Sequence, residues 1–301
     1  MNPTLEPAEI RILLSRRRWL QSSGVLAGAA LVSPSWLTAG DAPSKPTYKI
    51  GACDWSLNQT AQVSAFEVAR QIGLDGVQIS YNSAADETYL ARPESLTAIR
   101  EAAHRTGVQV ASIGMARLNE VPYKSDPRTE EWVSNAIDAA KALKVSTILL
   151  AFFSRNDLRN DPAGKKVVIE RLKQVAPKAE QAGVNLAIES YLTAAEHLDL
   201  IQAVGSKAIT VYYDFRNATD AGNDIFKEIP MLGKAMISEM HMKENGQLLG
   251  KGPLDWPRIS RVLADIGYTG WMQIEGATPK GAPLVEAYQQ NLTYLRTLFP
   301  A

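Results

Sequence analysis

The sequence predicts an α/β chain closed into one (β/α)8 barrel, a TIM barrel forming a single domain behind an N-terminal export signal. Three observations predict it. From Tyr48 onward, short apolar β-rich runs alternate with longer helix-patterned stretches through eight rounds; several of those stretches stop at a glycine; and no low-complexity linker interrupts the alternation. Repeated strand–helix units imply parallel strands, and eight of them favour closure over an open sheet. The 301 residues suit one barrel of about 250 residues plus a leader. An open dinucleotide-binding sheet would carry a glycine-rich fingerprint after its first strand. Here Lys49-Ile-Gly-Ala-Cys-Asp-Trp-Ser56 holds one glycine and no G-x-G-x-x-G.

The strands are expected at residues 49–53, 76–80, 109–113, 146–152, 185–189, 210–214, 238–242 and 271–275. Between them the 3.6-residue pattern predicts helices that include 94–106, 130–143, 165–182, 194–204, 257–266 and 284–298. Gly73, Gly107, Gly183, Gly205 and Gly267 stand where helices are expected to end. The barrel domain is thus expected over 48–299.

Ahead of it, residues 15–21 read Ser-Arg-Arg-Arg-Trp-Leu-Gln, and an uncharged small and apolar run follows at 22–32. This resembles a twin-arginine export signal, with Arg16 and Arg17 as the pair and a cleavage region near Thr38 to Ala42. Residues 1–42 are therefore expected to be signal and short linker, and the mature protein to be periplasmic. The apolar run is shorter than the roughly 20 residues a spanning helix needs, so no stable membrane insertion is expected.

Composition narrows the partners. Lys+Arg and Asp+Glu are equal at 32 each, which provides no global field for nucleic acid. A single cysteine, Cys53, rules out an internal disulfide and any Cys-rich zinc site. Homo-oligomerisation stays open.

In such a barrel the chemistry belongs at the C-terminal ends of the strands. The last four strands end in ligand-type residues: Glu189, Asp214, His241 and Glu275. Three carboxylates converging without a cation would repel one another and raise their pKa values. One divalent metal removes that conflict, and three hard oxygens with one imidazole suit Mn, Mg, Co or Zn. His104 and His197 fall within helical patterns and are expected to be surface or packing residues.

At these residues the chain resembles the xylose isomerase-like TIM-barrel superfamily of sugar phosphate isomerases and epimerases, which includes the D-tagatose 3-epimerases. The resemblance runs from about residue 48 to 299. Its most specific pieces are Ile188-Glu189, Asp214-Phe-Arg-Asn217, His241-Met-Lys243-Glu244, Gly250-Lys-Gly252-Pro-Leu-Asp-Trp256 and Ile274-Glu275. It implies a sugar, keto-sugar or cyclitol isomerase or epimerase working through an enediolate on a small carbohydrate. Glu189 and Glu275 would be both metal ligands and the proton-transfer pair, Asp214 and His241 ligands only, and the metal preferably Mn.

Lys243, two residues beyond His241, shares its side of an extended strand and is expected to meet substrate oxygen or neutralise the site. Many such epimerases have a second His where this chain has Asn217, which holds a hydroxyl but carries no proton near neutral pH. That departure keeps open a lyase or dehydratase using the same enolate chemistry. Glu196 is the nearest match to a further acid often found after the fifth-strand Glu. Trp55, Tyr81, Phe152, Phe153, Tyr191 and Phe215 are candidates to stack on a sugar ring. Apurinic endonucleases of this fold gather several metals with many histidines, and three His in all count against them. A non-catalytic sugar-binding barrel would be expected to have lost its ligands.

Overall fold

The computed structural model describes residues 48–300. The expected signal at residues 1–42 lies outside the described residues. Eight strands alternate with nine helices among the described residues. The strands are β1 Lys49–Cys53, β2 Gly76–Ser80, β3 Gln109–Met115, β4 Thr147–Phe152, β5 Asn185–Ser190, β6 Ile209–Asp214, β7 Ile237–Lys243 and β8 Trp271–Glu275. The helices are α1 Ala65–Ile72, α2 Pro93–Thr106, α3 Arg128–Leu143, α4 Pro162–Ala182, α5 Ala194–Val204, α6 Phe215–Asp220, α7 Ile225–Met236, α8 Trp256–Asp265 and α9 Leu284–Leu298. Each strand pairs in parallel with the next, and β8 returns to β1, so the sheet is a closed barrel.

The local chemistry explains the boundaries. Gly73, Gly107, Gly183 and Gly205 end α1, α2, α4 and α5 in the left-handed conformation, where a side chain would be strained. Thr193 opens α5 with a capping box, its hydroxyl taking the Glu196 N–H while the Glu196 side chain takes the Thr193 N–H. Asp161 and Asp255 cap α4 and α8.

Apolar burial divides in two. The main core fills the space between sheet and helices, while Leu149, Ala151, Ala187 and Tyr212 form a small separate cluster. Inward strand positions elsewhere carry polar side chains, Gln78, Ser112, Glu239 and Gln273, all fully or almost fully buried. No described helix is long and apolar enough to cross a membrane.

Candidate active site

Strands β5 to β8 build the site from neighbouring positions around the barrel. Strand pairing sets Asp214 beside His241 and Lys243 beside Glu275. Because β7 runs on to Lys243, Glu239, His241 and Lys243 share its inward face. Lys243 Nζ lies 2.8 Å from Glu275 Oε2 and 3.7 Å from Asp214 Oδ2. Deeper in, His241 Nδ1 lies 2.9 Å from Glu189 Oε1, 3.5 Å from Glu275 Oε2 and 3.7 Å from Asp214 Oδ2.

One donor atom from each of Glu189, Asp214, His241 and Glu275 falls within 4.8 Å of all the others. Two donors on opposite sides of an ion at roughly 2.1 Å each stand about 4.2 Å apart, so small shifts close this set around one divalent ion. Asp214 makes the fit specific. Its Oδ1 accepts the Asn217 N–H at 2.8 Å as the cap of α6, whereas its Oδ2 is buried without a hydrogen bond. A buried carboxylate oxygen left unpaired is costly unless a cation faces it.

The electrostatics make the same demand. Burial pushes the Glu189 carboxyl up, more than the nearby His241 pulls it down. Burial also works against a charged His241, yet the Cys53 sulfur and the Glu275 and Glu189 carboxylates outweigh it and raise the imidazole well above its ordinary value. Burial would raise Glu275, but the His241 and Lys243 charges, with hydrogen bonds from Lys243 and Trp55, hold it at about 2. Three carboxylates at one mouth thus draw in whatever positive charge is available.

Beneath the site lies a polar layer that strand-end reasoning passed over. Gln78 Oε1 is 3.3 Å from His241 Nε2, while the Gln78 amide donates to Ser112 Oγ at 3.0 Å and to the Tyr212 hydroxyl at 3.1 Å. Ser112 in turn donates to Glu239 at 2.7 Å, and burial pushes that carboxyl up to about 8. With its amide so committed, Gln78 presents an acceptor to Nε2–H, so Nδ1 is the nitrogen that donates to Glu189 when protonated and that would give its lone pair to a bound cation. Cys53 Sγ also lies 3.2 Å from Nε2 and within 4.8 Å of a Glu275 oxygen, and burial pushes its thiol up to about 12. A signal was available: polar residues at every second position, Glu239, His241 and Lys243, mark the inward face of β7.

The pocket over this centre measures about 220 Å3. Glu189, Asn217, Lys243 and Glu275 line its floor, and Trp55, Phe153 and Tyr191 line it as well. Asn217 Nδ2 stands 3.5 Å from Glu189 Oε1. Trp55 does more than offer a ring: its indole N–H donates to Glu275 Oε1 at 2.9 Å. Asn119, not anticipated, also lines the pocket and accepts the Phe153 N–H at 2.8 Å.

The remaining candidates stand elsewhere in the structure. Glu196 lies outside the pocket, because the α5 capping box and an ion pair with Lys165 at 2.8 Å commit both its oxygens. Tyr81, Phe152 and Phe215 are buried packing residues that do not line the pocket. His104 is exposed, and His197 is buried between Ser190 Oγ at 2.9 Å and Thr193 O at 3.0 Å, its pKa lowered by burial to about 4.

A parallel barrel that gathers three carboxylates, an imidazole and an ammonium at one mouth is built as an acid–base enzyme. Residues 66–298 match the family model of the xylose isomerase-like TIM barrel, and the chain belongs to that family. Among curated proteins it is 24% identical over 209 residues to a 2-epi-5-epi-valiolone 7-phosphate 2-epimerase of Actinoplanes, covering 69% of this chain and 77% of the relative. It is 27% identical over 249 residues to a putative L-ribulose-5-phosphate 3-epimerase of Escherichia coli, covering 74% of this chain and 86% of that one. Among solved structures, the apo 3-keto-D-glucoside 4-epimerase of E. coli superposes with a TM-score of 0.70 at 17% identity, over 83% of this chain and all of that one. The relatives are sugar epimerases, the enzyme class the sequence reading expects.

Proposed function

We propose that the protein is a divalent-metal-dependent epimerase or isomerase of a sugar, keto-sugar or cyclitol, acting after export. The observation that carries this reading is the convergence of Glu189 and Glu275, three strands apart around the barrel, with Asp214 and His241 on one point. Those four residues would hold the ion, with Mn preferred and Mg, Co or Zn as alternatives. The ion would supply a Lewis acid that polarises a carbonyl and its neighbouring hydroxyl, acidifying the C–H between them.

The remaining work falls to the chain's own groups. One of Glu189 and Glu275 takes the C–H proton, and the other returns a proton from its side of the substrate carbon. Their environments differ: Glu275 is held by Trp55 N–H and Lys243, whereas Glu189 meets His241 and the Asn217 amide. Glu189 is therefore the better proton acceptor, and Lys243 is placed to donate to a substrate oxygen beside Glu275. Trp55, Phe153 and Tyr191 exclude water and cover the apolar face of a ring.

Asn217 favours a second reading: at a pocket position where it cannot relay a proton, it leaves room for expulsion of a β-substituent by the same enolate. One experiment tests both. The Mn-loaded protein is incubated in D2O with a panel of ketoses and 3-keto-glycosides, and deuterium uptake and product mass are followed. Uptake with mass otherwise conserved, lost in Glu189→Gln and Glu275→Gln, supports epimerisation. A product lighter by one water, or for a 3-keto-glycoside by its aglycone alcohol, assigns the lyase, and no exchange with any member refutes the proton-transfer role.

A further inference from the structure

The charges around the pocket define which sugars it can take. A phosphoryl group carries between −1.5 and −2 charges at pH 7, roughly, and is held by cations with free valence or by backbone N–H groups at a helix N-terminus. In barrels of this type the usual place for it is the loops after the seventh and eighth strands.

In this protein an anion of its own occupies that place. Glu244, the residue after β7, has no exposed surface. It accepts the Trp256 indole N–H at 2.7 Å and faces Arg216 at 3.6 Å. Its second oxygen is buried without a hydrogen bond and packs against Gly252 so closely that a Cβ there would overlap it. The Gly246 N–H is spent on the Gly276 carbonyl at 2.7 Å, which ties the two loops together. The N-terminus of α6, the helix that opens at the pocket, is capped by Asp214.

The cations shielded from water are equally committed. Lys243 pairs with Glu275 and Asp214, and Arg216 with Asp220 at 2.8 Å and with Glu244. Against the carboxylates of Glu189, Asp214, Glu275, Glu244 and Asp220, one ammonium, one guanidinium and one divalent ion leave the mouth one charge negative, with nothing to spare for a dianion. Arg155 in the turn after Phe153, Lys251 in the loop after β7 and Lys280 in the loop after β8 are exposed, where water leaves an ion pair worth little.

We propose that the pocket selects an uncharged sugar of about one-ring size and discriminates against phosphate esters, an inference that rests on the epimerase reading of the same site. The volume of about 220 Å3 is below the roughly 300–1,000 Å3 of drug-sized ligand pockets. Trp55, Phe153 and Tyr191 supply stacking surface, and the Asn119 and Asn217 amides supply donors for hydroxyls.

The test is titration calorimetry on the Mn-loaded protein with the same panel of free ketoses and 3-keto-glycosides, their phosphate esters and inorganic phosphate, alongside the D2O exchange assay. At least one uncharged sugar is expected to bind, its phosphate ester at least tenfold more weakly, with no competition from inorganic phosphate. An ester that binds as tightly or more tightly, or phosphate that displaces the sugar, overturns the inference. If the uncharged sugar binds preferentially but exchanges no deuterium, the epimerase reading falls and the substrate class stands. If no uncharged sugar binds, the inference is refuted as well.

Discussion

Asp214→Asn separates the proposed metal site from the fold. Asp214 has two tasks on two atoms: Oδ1 caps α6 through the Asn217 N–H, and Oδ2 faces the donor cluster without a hydrogen bond. Asn caps a helix as well as Asp does, so the first task survives the change while one charged ligand is lost. The metal-free variant is expected to melt close to wild type, because removing a negative charge from among Glu189, Glu275 and Asp214 also relieves repulsion. With free Mn at a hundred times its Kd, wild type gains about 2.7 kcal/mol of stability. For a domain of this size that is a rise in Tm of about 5–11 °C. Scanning calorimetry after chelation, with and without added Mn, Zn, Co or Mg, measures both proteins. The variant is expected to shift by less than about 2 °C at the same Mn concentration. A wild-type Tm that no ion moves, or a variant that responds as strongly as wild type, would refute the assignment of Asp214 as a ligand.

Further outcomes follow from contacts around the centre. A Cβ at Gly114 would stand 2.5 Å from the Trp55 ring, so Gly114→Ala pushes that ring off Glu275 and breaks the 2.9 Å bond. Hydrogen bonds to charged groups are worth about 1.5–3 kcal/mol, so turnover on any active sugar should fall about 10- to 100-fold, and an unchanged rate would remove Trp55 from the mechanism. Glu196→Ala should cost about 1 kcal/mol in denaturant unfolding through loss of the α5 cap and leave turnover unchanged; a loss of turnover would restore Glu196 to the site. Burial pushes Asp54 from 3.8 to about 7 despite hydrogen bonds from Ser80 and Ala61. The folded protein then keeps a proton that the unfolded chain has lost, so stability falls by roughly 1.4 kcal/mol per unit as pH rises from about 4 to 7 and is flat above. Asp54→Asn should flatten that segment of the stability–pH curve; parallel curves would show that Asp54 is not its source. Replacing Arg16 and Arg17 together by Lys should leave the protein in the cytoplasmic fraction, and undisturbed export would dismiss the twin-arginine reading.

What the sequence determines by itself is periodic or positional. Alternating β-rich and helical stretches, with stops at Gly73, Gly107, Gly183 and Gly205, specify the barrel, because strand period, helix period and left-handed caps are local properties. The centre was legible for a related reason. In a parallel barrel all strand ends point to one mouth, so Glu189, Asp214, His241 and Glu275 converge once the strands are counted.

Only the tertiary structure decided pairings between strands distant in sequence. That Trp55 donates to Glu275 across 220 positions, that Gln78 faces His241 across 163, and that Glu244 fills the space beside Gly252 depend on barrel closure and side-chain rotamers. No local pattern encodes these. The same holds for Glu196, which sequence position brings near the fifth-strand carboxylate but which the capping geometry of α5 and Lys165 turn away from the pocket. A strand end specifies which residue reaches the mouth, and packing around the ring specifies which partner it finds there.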